Sequence, residues 1–300
     1  MTAATTPELG TVAWSLRDAR RPLLVLGPSL GTSVTALWQD VVPLLTSGPA
    51  DDDADADDDA DVDAGPGVDV VGWDLPGHGT APAAEPGSLG DLTVADLATA
   101  VLDVVDRAQS SRGDPGAPFW YAGVSVGGAV GQQLLLDAPA RLLGAALICT
   151  APSFGDPGPW TERGELVARA GASSQVSGSA GRWFAPGFLE RSPGVGTRLL
   201  SSLQVADRFG YAAVCGALAR FDVRARLGEI DGRVDGRLRV LAVAGAQDPA
   251  TPPSRLEEIV AAVPGARLEV LDDAAHLAPA EQPARVAGLL RALVAGEAEG

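Results

Sequence analysis

The chain has 300 residues, 46% of them hydrophobic, and a formal net charge of −17 at pH 7. That is enough apolar material for one large α/β domain or two small ones, and the sign of the charge argues against nucleic acid or an anionic membrane as a partner. No run reaches the ~18 uninterrupted apolar residues of a membrane span, and residues 1–10 lack the basic and apolar regions of a secretory signal.

More than half of the charge is local: nine aspartates stand between Asp51 and Asp63. Such a tract repels itself and has almost nothing apolar to bury, so residues 51–67 are expected to be a disordered acidic insertion. It lacks the oxygen spacing, central glycine and terminal glutamate of a calcium-binding loop, and no metal site is expected. Cys149 and Cys215 make neither a disulfide framework nor a metal-ligand spacing; both are expected to be reduced core residues of a cytoplasmic protein.

In chain order, residues 11–16 form a weak strand candidate, and residues 23–26 (Leu-Leu-Val-Leu) are suited to a buried parallel strand. A Gly/Pro/Ser loop, residues 27–33, leads to a helix over 34–45 with Thr32 or Ser33 as its N-cap. Residues 68–73 are the next buried strand, ending in the tight turn Asp74-Leu-Pro-Gly-His-Gly79. His78 in that turn is expected to be pinned by local hydrogen bonds. Residues 92–108 carry apolar side chains at helical spacing. The run 119–122 is then a buried strand end, followed by Gly123-x-Ser125-x-Gly127 and an almost wholly apolar helix over 129–136. Residues 145–149 are a further strand.

The alternation of strand and helix predicts an α/β fold with a mostly parallel sheet covered on both faces. It pauses over residues 151–223, where Gly/Pro-punctuated short helices are expected to form a small cap over the sheet. Residues 1–150 and 224–300 would then make up the core. The sheet resumes with residues 238–244, a helix over 254–263, a strand over 267–271 and a closing helix over 282–294.

Strand, tight turn and helix is the context in which G-x-S-x-G exposes a nucleophile, with the helix N-terminus favouring negative charge as it develops. Asp248 falls just past one later strand and His276 just past the next. Catalytic groups of open α/β sheets gather at that edge. A serine hydroxyl is a poor nucleophile at neutral pH; His276 would remove its proton, and Asp248 would orient the imidazole and stabilise its cation. Asp222 is the alternative acid. Register places the backbone amides of Leu30 and Val126 as the oxyanion donors. A turn cap before Pro249 and a buried histidine are the competing readings of Asp248 and His276 taken singly.

Over nearly its whole length the sequence resembles the α/β-hydrolases, in which the order Ser, Asp, His is the family's own and the residue 27–33 loop follows the third strand. Within them it is similar to the 3-oxoadipate enol-lactonases of the β-ketoadipate pathway. The shared pieces are Ser29-Leu-Gly-Thr32, Asp74-Leu-Pro-Gly-His-Gly79, Gly123-Val-Ser-Val-Gly-Gly128, Trp160-Thr-Glu-Arg163, Arg182-Trp-Phe184, Gly210-Tyr-Ala-Ala213, Phe221-Asp-Val-Arg224, residues 244–253, Ala274-Ala-His-Leu277 and Glu281-Gln-Pro283. The chain departs from the family at Val126, where Met is frequent, at Pro28, where Asn is frequent, and in the acidic insertion. The decarboxylase domain fused to some relatives is not expected before Gly300. The resemblance implies hydrolysis of the enol-lactone ring to 3-oxoadipate, with no metal or organic cofactor and a small carboxylated lactone as substrate. Arg182, Trp183 and Trp160 are the expected substrate-binding residues, with Arg163 as second choice for the carboxylate and an Arg182–Glu190 pair as the competing reading. A carboxylesterase, a perhydrolase or a C–C bond hydrolase would keep the three catalytic residues and change the cap. A haloalkane dehalogenase would need an aspartate where Ser125 stands, and a non-catalytic binding protein of this fold usually loses catalytic residues that are all present here.

Overall fold

The computed structural model describes residues 6–17, 19–46, 67–230 and 238–296. The acidic insertion expected over 51–67 lies, but for Gly67, outside the described residues. Seven strands form one sheet: β1 (Gly10–Ser15), β2 (Leu23–Gly27), β3 (Asp69–Asp74), β4 (Phe119–Val124), β5 (Leu142–Ile148), β6 (Arg239–Gly245) and β7 (Arg267–Leu271), in the order β1-β3-β2-β4-β5-β6-β7. β1 pairs antiparallel with β3, and every other pairing is parallel. Successive side chains of a strand point to opposite faces, and all residues of β2, β3 and β4 are buried, so both faces of the central sheet are covered. The edge strands β1 and β7 mix buried and exposed positions instead. The 27–33 loop follows β2, the second strand in chain order among the described residues.

The covering helices are α1 (Val34–Trp38), α2 (Val42–Thr46), α3 (Val94–Ser111), α4 (Val126–Asp137), α10 (Pro253–Ala262), α11 (Ala278–Glu281) and α12 (Pro283–Ala295), with α5 to α9 placed between β5 and β6. The single helix expected over 34–45 is two short ones. Ser33 does cap the first, its Oγ accepting from the Ala36 amide at 3.1 Å. Pro43, however, has no amide hydrogen, and its ring conflicts with the carbonyl four residues back, so the first helix stops near Gln39. The third helix starts later than the apolar spacing indicated, because Thr93 and Asp96 form a reciprocal capping box that fixes its first turn. None of the described helices is long and apolar enough to cross a membrane.

The stretch 151–223 holds α5 (Pro157–Ala170), α6 (Val176–Trp183), α7 (Phe188–Arg191), α8 (Pro193–Val205) and α9 (Arg208–Arg220). Three of these are longer than the Gly/Pro punctuation suggested, at 14, 13 and 13 residues. The starts of α5 and α9 are set by Asp156 and Asp207, whose carboxylates accept backbone amides at the helix N-termini. α9 docks on the 74–79 turn: the Asp207 amide donates to the Gly77 carbonyl at 2.8 Å, and a Cβ at Gly210 would lie 2.2 Å from the Pro76 carbonyl oxygen. His78 is buried in that turn, with Nδ1 2.9 Å from the Pro76 oxygen and its ring stacked on Tyr211. Cys149 and Cys215 are free and buried.

Candidate active site

The parallel strands end together at one edge of the sheet, and the sequence-predicted residues meet there. Ser125 follows β4 with φ 56° and ψ −112°, and only it and Cys149 among the described non-glycine residues have positive φ. Such a conformation strains an ordinary residue and persists where its surroundings over-determine it. Here the Ser125 amide donates to the Ile148 carbonyl of β5 at 2.9 Å, and its own carbonyl accepts from Ala129 N–H at 2.9 Å and from Thr150 Oγ1 at 2.7 Å. The flanking glycines are required by crowding. A Cβ at Gly123 would sit 2.3 Å from the Gly127 carbonyl oxygen, and one at Gly127 would sit 2.6 Å from the Pro28 carbonyl oxygen.

The same crowding ties the 27–33 loop to the serine turn, since Gly127 N–H donates to that Pro28 oxygen at 3.1 Å. Thr32 closes the loop internally: its Oγ1 accepts from Ser29 N–H at 3.1 Å and donates to the Ser29 carbonyl at 2.9 Å. Leu30 thus stands beside Ser125 in the lining of one small cavity. Val126 opens α4, so its amide has no acceptor within the helix. Among the described residues, neither that amide nor the Leu30 amide is taken up by another backbone or side-chain acceptor. Val126 itself is buried and does not line the cavity.

Asp248 follows β6, and His276 follows β7. Their side chains meet with Asp248 Oδ2 2.8 Å from His276 Nδ1. The other bonds to Asp248 come from its own turn. Oδ1 accepts from the Ala250 and Thr251 amides at 2.8 and 3.0 Å, and Oδ2 accepts from Thr251 Oγ1 at 2.7 Å. The turn-cap reading and the histidine-partner reading of Asp248 therefore both hold, on different lone pairs. Burial alone would push this carboxyl up; the His276 charge and the Thr251 and His276 hydrogen bonds outweigh it and hold Asp248 below the usual carboxylate range. Thr251 was missed in the sequence, although an Asp followed three residues later by Thr carries the signal of a side-chain-closed turn. Asp222, the alternative acid, is exposed and held by Arg224 at 2.5 Å, away from His276.

The far wall of the cavity comes from α5 and α6. Trp160, Arg163, Arg182 and Trp183 line it together with Ser125, Thr251 and His276, and Phe154, not singled out in the sequence, joins them. Trp160 is fixed by its indole N–H donating to the Phe154 carbonyl at 3.0 Å. The Arg163 guanidinium lies 5.3 Å from the Trp160 ring centroid and 5.4 Å from that of Tyr211, and it donates to Tyr211 Oη. Arg163 Nε is buried without an acceptor among the described residues. Arg182 does not pair with Glu190; its Nη2 reaches Ser179 Oγ at 3.4 Å. Among the described residues neither arginine has a carboxylate partner. Burial first, and the neighbouring Arg163 charge second, push Arg182 below the ordinary arginine range. The cavity therefore joins a strained serine and a histidine–aspartate pair to two cations with aromatic walls.

The family model "Alpha/beta hydrolase family" matches residues 24–289. The chain is 32% identical over 266 residues to 3-oxoadipate enol-lactonase 2 of Acinetobacter baylyi, covering 89% of this chain and 86% of that one. Among solved structures, a hydrolase from Pseudomonas aeruginosa PA01 is 30% identical with a TM-score of 0.77, covering 95% of this chain and 94% of that one. The enol-lactonase from Burkholderia xenovorans LB400 is 25% identical with a TM-score of 0.81, covering 98% and 99%. With a family match spanning nearly the whole sheet and the arrangement of strands just described, the chain belongs to the alpha/beta hydrolase family.

Proposed function

We propose that the protein is a serine hydrolase that opens the ring of a carboxylated enol-lactone, with 3-oxoadipate enol-lactone as the substrate. The observation that carries this reading is the Arg163–Arg182 pair. Two guanidinium groups without carboxylate partners, one with a buried unused N–H, face the cavity that holds Ser125 and His276. A neutral ester can accept a hydrogen bond from them but brings no balancing charge; a substrate carboxylate does, through charge-assisted, bidentate bonds. The similarity to enol-lactonases supports the same substrate.

In the proposed reaction, Ser125 Oγ attacks the lactone carbonyl while His276 takes the hydroxyl proton. Asp248 keeps the imidazole oriented and stabilises it as a cation. The tetrahedral oxyanion is received by the free amides of Leu30 and Val126, with the N-terminus of α4 behind them. Collapse breaks the bond to the ring oxygen. The leaving group is an enol, a better one than an alkoxide, and His276 returns the proton to it. Water, activated by His276, then attacks the acyl-serine and releases the open-chain diacid. Helices α5 to α9, residues 151–223, act as the cap over the core, with Trp160 and Trp183 excluding water so that the arginines read the carboxylate at full strength. The test is to incubate purified protein with 3-oxoadipate enol-lactone and follow 3-oxoadipate formation beside a Ser125→Ala control. Robust turnover by the wild type alone supports the proposal. Turnover of p-nitrophenyl esters but not of the lactone would assign the fold to another ester substrate.

A further inference from the structure

The half-buried carboxylate of Glu281 has no part in the reaction just described, yet it touches both halves of the site. It closes α11, five residues past His276. Oε2 accepts the amide of Ala275, the residue immediately before His276, at 2.7 Å. Oε1 accepts the amide of Ala185, just past the C-terminus of α6, at 2.7 Å. On the other side of His276, the Leu277 amide donates to the Trp183 carbonyl at 3.1 Å. The histidine is thus held between two hydrogen bonds that both lead to residues 183–185, the end of the helix that carries Arg182 and Trp183 into the cavity. Two peptide donors cannot be served by one shorter or neutral side chain. Aspartate lacks the reach, and glutamine would turn an N–H toward one of them.

We propose that Glu281 is a positioning residue that sets His276 and the Arg182–Trp183 wall in one register. The inference rests on the reading of His276 as the general base. The charged and titratable groups facing Glu281 are Asp248 and His276 across the site, Cys149 at the end of β5, and Arg191 and Asp273 around the surface cleft that Glu281 also lines. Burial pushes the Glu281 carboxyl up first of all; the Ala185 and Ala275 amides pull it back, Asp248 raises it further, and the His276 charge lowers it.

The test compares Glu281→Gln, Glu281→Asp and wild type on the carboxylated lactone and a neutral ester, well below each variant's Tm, with kcat and KM determined separately. His276→Ala is run beside them. For Glu281→Gln we expect kcat to fall about tenfold or more on both substrates, with KM rising for the carboxylated lactone and not for the neutral ester as the Arg182 wall shifts. Glu281→Asp, too short to reach both amides, should show the same split between the two substrates. A KM that rises equally on both substrates, or kcat within twofold of wild type in both variants, overturns the proposal. Should Glu281→Gln not fold, Glu281→Asp decides alone. A His276→Ala variant that keeps wild-type rates sinks the reading of the base itself; an inactive one beside unaffected Glu281 variants sinks only the role given to Glu281.

Discussion

The sheet edge and the five-helix insertion build opposite sides of one cavity by different means. At the sheet edge every functional side chain is one or a few residues past a strand, and backbone bonds to neighbouring strands or turns fix it. Ser125 is tied to Ile148, Asp248 to its own turn amides and His276, and the 27–33 loop to Gly127. In the insertion the functional side chains project from helices and are fixed by one another: Arg163 against Trp160 and Tyr211, Arg182 against Ser179. The first arrangement is rigid and suits chemistry that every member of such a fold can share. The second can be changed one side chain at a time, and suits the choice of substrate.

That division can be broken most severely at the serine. Ser125→Ala should lower kcat on any ester or lactone by about 10⁴-fold or more, with circular dichroism unchanged. Residual activity within tenfold of wild type would remove Ser125 from the chemistry. The acid comes next. Asp248→Asn should cost about 10³- to 10⁴-fold in kcat, whereas Asp222→Asn, at an exposed residue paired with Arg224, should stay within about twofold. Steady-state kinetics on both variants check the pair, and a larger loss at Asp222 would reverse the roles.

Smaller and more selective effects belong to the insertion. Arg163→Met should lower kcat/KM for the carboxylated lactone by about 10- to 150-fold, the range of one lost charge-assisted hydrogen bond. Arg182→Met should cost less, because only Arg163 has a buried Nε without an acceptor among the described residues, and neutral-ester rates should change little in either. Equal losses on both substrates would make the arginines supports of the helices and not readers of the substrate.

The smallest effect is thermodynamic. Asp248 has its folded-state pKa below the ordinary value, so it contributes stability that is present above the unfolded pKa of about 3.9 and lost as pH falls through the folded one. Thermal melts of wild type and Asp248→Asn should differ most near about pH 6 to 7 and converge below about pH 4. A gap that stays constant into strong acid would mean that the Asp248 charge does not stabilise the fold.

The same division explains how much could be read from the sequence. Strand positions were legible because buried parallel strands are short unbroken apolar runs, and the meeting of Ser125, Asp248 and His276 at one sheet edge was legible because strand ends are marked by local punctuation: Gly123 and Gly127, Pro249, the 272–276 loop. Thr251 was legible in principle, as the partner of an Asx turn, and was passed over. What escaped was set by tertiary contact. Pro43 divides one expected helix into two. The order of Arg163 and Arg182 depends on which face of α5 and α6 meets the cavity, and no spacing within either helix carries that information. The unpartnered Arg163 Nε can be seen only once Trp160 and Tyr211 are in place around it.

The central claim is that the sheet edge supplies a general ester-cleaving site and the insertion selects a carboxylated lactone for it. The most direct measurement is kcat/KM of the wild-type protein for 3-oxoadipate enol-lactone and for the methyl ester of the same lactone, which keeps the ring and its leaving group and removes the charge. The account predicts that the free acid is preferred by about tenfold or more. A methyl ester hydrolysed as well as the acid, or better, would contradict it.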